Sequence, residues 1–159
     1  MKTNSRVKLD GFEIALADWI SSNLICHCGS PAMGRNLFVS DMPEVEDIKA
    51  SHSDFDQIEE SVFAVYTDPG LGVQPGPGRG SRMEWTIRLV CRFGIVPEEA
   101  KKELEEVVTQ ILKKSPGTKM GGFISKGVNI VARPTVFARQ GDGHAYATCA
   151  LRFFVVTVG

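Results

Sequence analysis

The chain has 159 residues, of which 43% are hydrophobic and 23% charged, and its formal net charge at pH 7 is −1. This length is typical of one domain and is sufficient to bury a hydrophobic core without a disulfide or a metal. The composition argues against wholesale disorder, and the small net charge gives no global signature of a nucleic-acid binder. We therefore expect a single domain that covers residues 1–159.

The first predicted element is an amphipathic helix that follows a polar, basic segment at residues 1–10. That segment is unlike a secretory signal, and no stretch reaches the about 20 apolar residues that cross a bilayer, so we expect no membrane association. Asp10 is in position to cap a helix that ends near Asn23. Its apolar residues recur every three or four positions and form one stripe: Phe12, Ala15, Leu16, Trp19, Ile20 and Leu24.

Three potential metal ligands, Cys26, His27 and Cys28, stand in a row after this helix. Zinc sites normally include a second pair of ligands at finger-like spacing, and the distant His52 and His144 could complete a site only through folding. The remaining cysteines, Cys91 and Cys149, fall within alternating patterns and are typical of small core residues. We expect reduced thiols and no cofactor, with structural zinc at residues 26–28 as the alternative.

Residues 41–60 hold eight acidic side chains and one lysine, so the rest of the chain is net basic by about six charges. Such asymmetry is typical of an acidic segment that meets a basic surface on a partner or on a second subunit. The alternative is a solvated acidic loop. The acidic candidates for a partner or oligomer interface are Asp41, Glu44, Glu46, Asp47, Asp54 and Asp56.

Alternating apolar residues predict strands at residues 36–40, 62–66 and 83–93. Between the last two, residues 68–82 are rich in glycine and proline, which excludes a helix or a core strand there. A loop of this length inside a compact domain is usually functional, and we expect it to form a long projecting hairpin arm. Its candidate interface residues are Leu71, Val73, Arg79 and Arg82.

The C-terminal part combines one helix with three predicted strands. Pro97 suits the first turn of a helix that ends at Lys114, because acidic residues at its start and lysines at its end complement the helix dipole. Strands are predicted at residues 128–132, 135–139 and 144–158. The final third of the last strand is apolar on both faces. This indicates either that a helix and a neighbouring element cover the strand end or that it lies in a subunit interface.

These elements predict an α+β fold with a mainly antiparallel sheet built from hairpins. Two amphipathic helices would pack on one face, and a long β-hairpin loop would project from the sheet. The opposite face is expected to be polar, because it carries Thr86 and several arginines. Its candidate interface residues, together with one from the apolar strand end, are Arg88, Arg92, Arg152 and Phe154.

The motifs of the common enzyme classes are missing from the sequence. The glycine-rich segment 70–80 lacks the Lys-Ser/Thr pair of a phosphate loop and does not lead into a predicted helix. There is no nucleophile elbow, and the acidic residues near Asp54 lack the mid-loop glycine of a calcium loop. We therefore expect a structural protein, not an enzyme, that assembles with copies of itself and with other proteins.

Several segments follow one another in a characteristic order. They are residues 11–20, 36–43 ending in Met-Pro, 62–70, 84–92, 97–114, the Gly121-Gly122 pair, 130–134 and 152–158. In the order and character of these segments, nearly the whole chain resembles the tail terminator family of tailed bacteriophages, also called tail-completion or minor capsid proteins. The acidic segment and the glycine- and proline-rich arm are both longer than this family leads us to expect.

The resemblance implies a ring, usually of six subunits, at the head-proximal end of the virion tail, assembled in the host cytoplasm. Such a ring caps the tail tube protein, ends polymerisation of the tube and joins the tail to the neck or connector protein. In contractile tails it also meets the sheath protein, and DNA passes through the lumen without sequence-specific binding. Two alternatives stay open: a neck or stopper protein of the head–tail junction, and, more distantly, a small metal-binding protein that uses Cys26, His27 and Cys28.

Overall fold

The computed structural model describes residues 11–27, 29, 32–36, 62–68, 70, 72–75, 82–137 and 145–158. These residues form two helices and seven strands, which confirms the predicted α+β class. In chain order the elements are α1 (Phe12–Asn23), β1 (Met33–Asn36), β2 (Val62–Thr67), β3 (Val73–Pro75), β4 (Arg82–Arg92), α2 (Pro97–Lys114), β5 (Lys119–Met120), β6 (Phe123–Phe137) and β7 (Tyr146–Thr157).

All seven described strands belong to one sheet. Its order is β1-β2-β4-β7-β6-β5, and β3 pairs with β4 beside this path. Every pairing is antiparallel except that of β1 with β2, which is parallel. The prediction that neighbouring strands pair as hairpins is therefore wrong for β1 and β2. Residues 37–61 separate these two strands, and parallel strands require such a long connection.

The hydrophobic core lies between the two helices and one face of the sheet, as predicted. Its centre is an aromatic cluster in which the ring centroid of Phe12 on α1 lies 5.5 Å from that of Trp85, 5.4 Å from that of Phe123 and 5.2 Å from that of Phe153. The helix α2 contributes an apolar stripe of Ala100, Leu104, Val107, Val108 and Ile111, all of them buried. Both helices thus cover the same face of the sheet.

The buried indole of Trp85 has a hydrogen-bond partner at its polar end. Its Nε1–H donates to Oγ1 of Thr67 at 2.9 Å, and this hydroxyl donates to Oε2 of Glu13 at 2.8 Å. Buried tryptophan normally requires such a partner, because an unsatisfied N–H in the core is costly. The relay connects β4, β2 and α1 through their side chains.

The helix boundaries agree with local sequence signals, with one exception. The helix α2 has the predicted bounds, with proline in its first turn and two lysines in its last. The helix α1 ends at Asn23 as predicted, but its N-cap is Gly11, not Asp10. The prediction of an Asp10 cap is wrong because the helix starts one residue later. Asp10 itself lies outside the described residues.

Strand β6 runs without a break through both predicted strands as far as Phe137, so the predicted division at residues 133 and 134 is wrong, and residues 138 and 139 lie outside the described residues. Strand β6 pairs with β7 along its whole length, and three register shifts each place an extra residue in β6. They lie between Ser125 and Gly127, between Ile130 and Ala132, and between Ala132 and Thr135. Bulges of this kind accommodate Pro134 without ending the strand, and they increase its local twist.

The sheet face opposite the helices is largely buried, whereas the sequence predicted a polar surface. Thr86 and Arg92 are only 2% and 3% exposed. Their neighbours on this face are small, apolar or aromatic and also buried: Ala64, Tyr66, Val90, Tyr146 and Ala150. The prediction is therefore wrong for Thr86 and Arg92. Arg88 and Arg152 remain partly exposed.

Candidate interaction surfaces

The glycine- and proline-rich segment is partly built into the sheet. Strand β3 lies within it and pairs with β4, with Val73 opposite Trp85 and Pro75 opposite Met83. Strand β2 pairs with the same edge of β4 further along, so β2 and β3 follow each other on one side of that strand. Pro75 fits here because an edge strand tolerates a missing N–H. The predicted hairpin is confirmed, and its tip, residues 76–81, lies outside the described residues.

Asp68 forms the joint between β2 and β3. Its backbone N–H donates to the carbonyl of Thr86 at 2.8 Å, and its Oδ1 accepts the N–H of Gly70 at 2.8 Å. The N–H of Thr86 donates to the carbonyl of Gly72 at 2.9 Å. Gly72 has a φ of 54°, a conformation that glycine adopts without strain. Residues 68 and 72 therefore both bond to Thr86, and Gly70 lies in a turn between them.

Arg88 connects this joint to β7. Its Nη2 lies 3.2 Å from Oδ2 of Asp68, and its Nη1 lies 3.5 Å from Oγ1 of Thr148. The hydroxyl of Thr148 donates to the carbonyl of Leu89 at 3.0 Å. The side chains of Asp68 and Arg88 are 10% and 31% exposed, so this ion pair is only partly screened by solvent. Arg88, a predicted partner contact, thus has an ionic partner within its own chain.

The other predicted interface residues fall into different environments. Arg92 is buried, so we do not place it on a contact surface. Val73 and Arg82 are exposed on the hairpin, while Arg152 and Phe154 are partly exposed on β7. Outside the described residues lie Leu71, Arg79, Asp41, Glu44, Glu46, Asp47, Asp54 and Asp56.

Sequence reasoning missed an exposed apolar edge on β6. Ile130 and Val131 are 38% and 40% exposed. Among the described strands, only β5 pairs with the outer edge of β6, and it does so only at Phe123 and Ile124. The available signal was the apolar run at residues 128–132, but such a run is equally typical of a buried strand.

The Cys-His-Cys segment is bound to α2 through its backbone. The backbone N–H of His27 donates to Oε1 of Glu103 at 2.8 Å. Ile25 both accepts from and donates to the side-chain amide of Gln110. The side chain of Cys26 is buried, that of His27 is exposed, and Cys28 lies outside the described residues. No three His, Cys, Asp or Glu side chains within the described ranges are arranged to hold a metal ion.

The cysteines of the described chain, at positions 26, 91 and 149, are buried and form no disulfide bonds. Burial raises the pKa of Cys149 to about 12. Burial also raises the pKa of Cys91 well above its ordinary value, and the negative charge of Glu103 adds to the effect. Since the thiolate is the reactive form, Cys91 and Cys149 are inert packing residues at neutral pH, as their alternating pattern predicts.

We expect the free energy of unfolding to fall as the pH rises above 9.0, the ordinary pKa of cysteine, toward about 12, the pKa of folded Cys149. Within this window the unfolded chain has lost the thiol proton and the folded chain keeps it, so stability decreases with pH. The loss is about 1.4 kcal/mol per pH unit for each such thiol. Urea denaturation across this window measures the slope. The variant Cys149→Ala should show a shallower slope, and equal slopes would contradict the assignment.

No protein-family model matches this chain, and no curated protein is significantly similar to it. The helices of the described residues are all too short or too polar to span a membrane. Among the described residues, exposed large apolar side chains lie on open strand edges at Val73 of β3 and at Ile130 and Val131 of β6.

Proposed function

We propose that this chain is a structural virion protein that forms a ring, of six subunits as in the family it resembles, on the end of a bacteriophage tail tube. The ring ends tube polymerisation and joins the tail to the head. The subunit carries out no catalysis and needs no cofactor. The observation that carries this proposal is strand β3, an exposed edge strand that the glycine- and proline-rich segment forms against β4.

The hairpin suits the binding of a protein partner. All three residues of β3 are exposed, and Val73 retains 43% of its accessible surface. The base is fixed by the bonds of Asp68 and Gly72 to Thr86. A strand already paired within the sheet loses less conformational entropy on docking than a free loop, so more of the contact energy appears as affinity. Val73 and Arg82 supply one apolar and one cationic contact.

The fold is also compatible with the resemblance. The segments that resemble tail terminators include α1, β2, β4, α2 and the end of β7, and these elements build the core and the centre of the sheet. The proposed partners are copies of the chain, the tail tube protein and the neck or connector protein, with the sheath protein added in contractile tails. DNA passes through the lumen without being read. The proposed location is the head-proximal end of the tail.

Replacing residues 76–82 with the dipeptide Asn-Gly tests the role of the hairpin. Pro75 and Met83 face each other across β3 and β4, so the dipeptide closes a two-residue turn and shortens the arm without unpairing it. In phage whose only copy of the gene for this chain carries the change, we expect a folded subunit, overlong or uncapped tubes and almost complete loss of infectious particles. Circular dichroism of the purified subunit and electron microscopy of lysates provide the two measurements.

A matched control is Ile95→Ser, because Ile95 is 77% exposed and lies outside the hairpin and both strand edges. This variant should give normal tails. Normal particles from the hairpin variant would contradict the proposal. Co-purification with headless tails supports a terminator, whereas co-purification with DNA-filled, tailless heads would reassign the chain to the neck.

A further inference from the structure

Two exposed strand edges border the sheet on opposite sides. We infer that β6 of one copy of this chain pairs with β3 of the next copy, so that the sheet continues from subunit to subunit. The inference rests on the proposed function in requiring that copies of the chain assemble. It specifies which strand edges of the two copies join, the relative direction of the paired strands and the side chains in contact.

The two edges lie at opposite ends of the same row of the sheet. Val73 of β3 is opposite Trp85, which is opposite Phe153, which is opposite Val128 of β6. Among the described residues, β3 pairs only with β4, and the outer edge of β6 is bonded only at its first three residues, by β5 and by the backbone of Gly117 and Thr118. An open edge presents backbone N–H and C=O groups that template another strand, and on β3 Pro75 contributes only its C=O. Because the two edges differ, joining them gives a head-to-tail contact, which closes into a ring when the rotation allows.

The strand directions favour this contact. Strands β3 and β4, β4 and β7, and β7 and β6 are each antiparallel, so β3 and β6 run in opposite directions. When copies are related by rotation about an axis along the strands, each strand keeps its direction from one copy to the next. Strand β6 of one copy then lies antiparallel to β3 of its neighbour, and antiparallel pairs are the more stable type.

Both edges carry exposed apolar side chains on the same face of the sheet. Val73 is opposite Trp85, and Ile130 is opposite Leu151. Trp85 and Leu151 belong to the core beneath the helices, so Val73 and Ile130 also lie on that face. They are 43% and 38% exposed. Side chains on one face of paired strands contact each other, so pairing buries both residues and extends the core across the contact.

The bulges of β6 define where a partner strand fits. Between the first two register shifts, the four residues from Gly127 to Ile130 keep a regular register with β7, whereas the regular stretches nearer the two ends of β6 have three residues each. This window is close in length to β3, which has three residues. The bulges on either side, the charges of Lys126 and Arg133, and Pro134 disfavour unselective pairing along the rest of the strand. The window from Gly127 to Ile130 is therefore the longest regular stretch of β6 that has no outer strand partner among the described strands, and it matches one short strand.

Thiol cross-linking tests the contact directly. In a Cys28→Ser background, the double variant Val73→Cys, Ile130→Cys is assembled in the presence of tail tubes and treated with a short bismaleimide. We expect a ladder of covalent multimers up to the size of the assembly, while each single variant gives dimers at most. A control pair, Ile95→Cys with Ile130→Cys, should give no ladder because Ile95 lies away from β3.

The outcomes separate this inference from the proposed function. If light scattering shows an assembly but the double variant gives no more product than the controls, the edge contact is wrong and the ring proposal stands. If the protein stays monomeric even with tail tubes, both are overturned. As a second test, Ile130→Lys should weaken self-association by at least about tenfold, because a lysine would be buried in the contact. Ile95→Lys should not, and unchanged association of Ile130→Lys would contradict the inference.

Discussion

Replacing Phe12 with alanine should lower the free energy of unfolding by about 3–5 kcal/mol. Phe12 is fully buried, and its ring lies within 5.5 Å, centroid to centroid, of three other aromatic rings. These rings belong to β4, β6 and β7, so one side chain joins α1 to the middle and the far side of the sheet. The loss combines the transfer energy of the ring, the cavity left behind and the edge-to-face contacts with Phe123 and Phe153.

Urea denaturation followed by circular dichroism measures this loss. The matched control is Ile14→Ala on the same helix, because Ile14 is 51% exposed and its truncation should change stability by no more than about 0.5 kcal/mol. If Phe12→Ala does not fold, Phe12→Leu leaves a smaller cavity and gives an intermediate loss. A loss below about 1 kcal/mol for Phe12→Ala would contradict the central position of this cluster.

The predictable parts of the fold are those with local signals. The bounds of α2 follow from Pro97, the acidic first turn and the two terminal lysines, all of which act within one turn of the helix ends. The core faces of β4 and β7 follow from alternation, because a strand exposes successive side chains to opposite sides. The parallel pairing of β1 with β2 has no such signal, since it depends on where distant strands meet.

The buried second face and the exposed edge escaped prediction for a related reason. Arg92 is buried in a sheet face that it shares with Ala64 on β2 and Tyr146 on β7, and alternation within β4 does not report residues of other strands. Exposure of Ile130 depends on β6 lying near the edge of the sheet, which is a property of strand order. The hairpin itself was predictable because glycine and proline exclude most other structures. The ion pair of Asp68 with Arg88 was not, because it depends on the looped joint.

Asp68→Ala should lower the free energy of unfolding by about 2–3 kcal/mol. The larger part is the loss of the charge-assisted hydrogen bond from the Gly70 N–H, which lies 2.8 Å from Oδ1. The ion pair with Arg88 adds less, about 1 kcal/mol or below, because the arginine side chain is 31% exposed and stays partly hydrated. Urea denaturation of the purified subunit measures the total.

Asp68→Asn separates the two contributions, because an amide oxygen still accepts the Gly70 N–H while the charge is lost. We expect Asp68→Asn to lower the free energy of unfolding by about 1 kcal/mol in the native chain. In an Arg88→Ala background, the same substitution should lower it by almost nothing, because the ion pair is already gone. Since Asp68 positions the chain as it passes from β2 to β3, Asp68→Ala should also speed amide hydrogen exchange at Val73, whereas Asp68→Asn should not. Equal losses from Asp68→Ala and Asp68→Asn would show that charge, not the turn at Gly70, holds this joint, and the hairpin would then owe its position to Arg88.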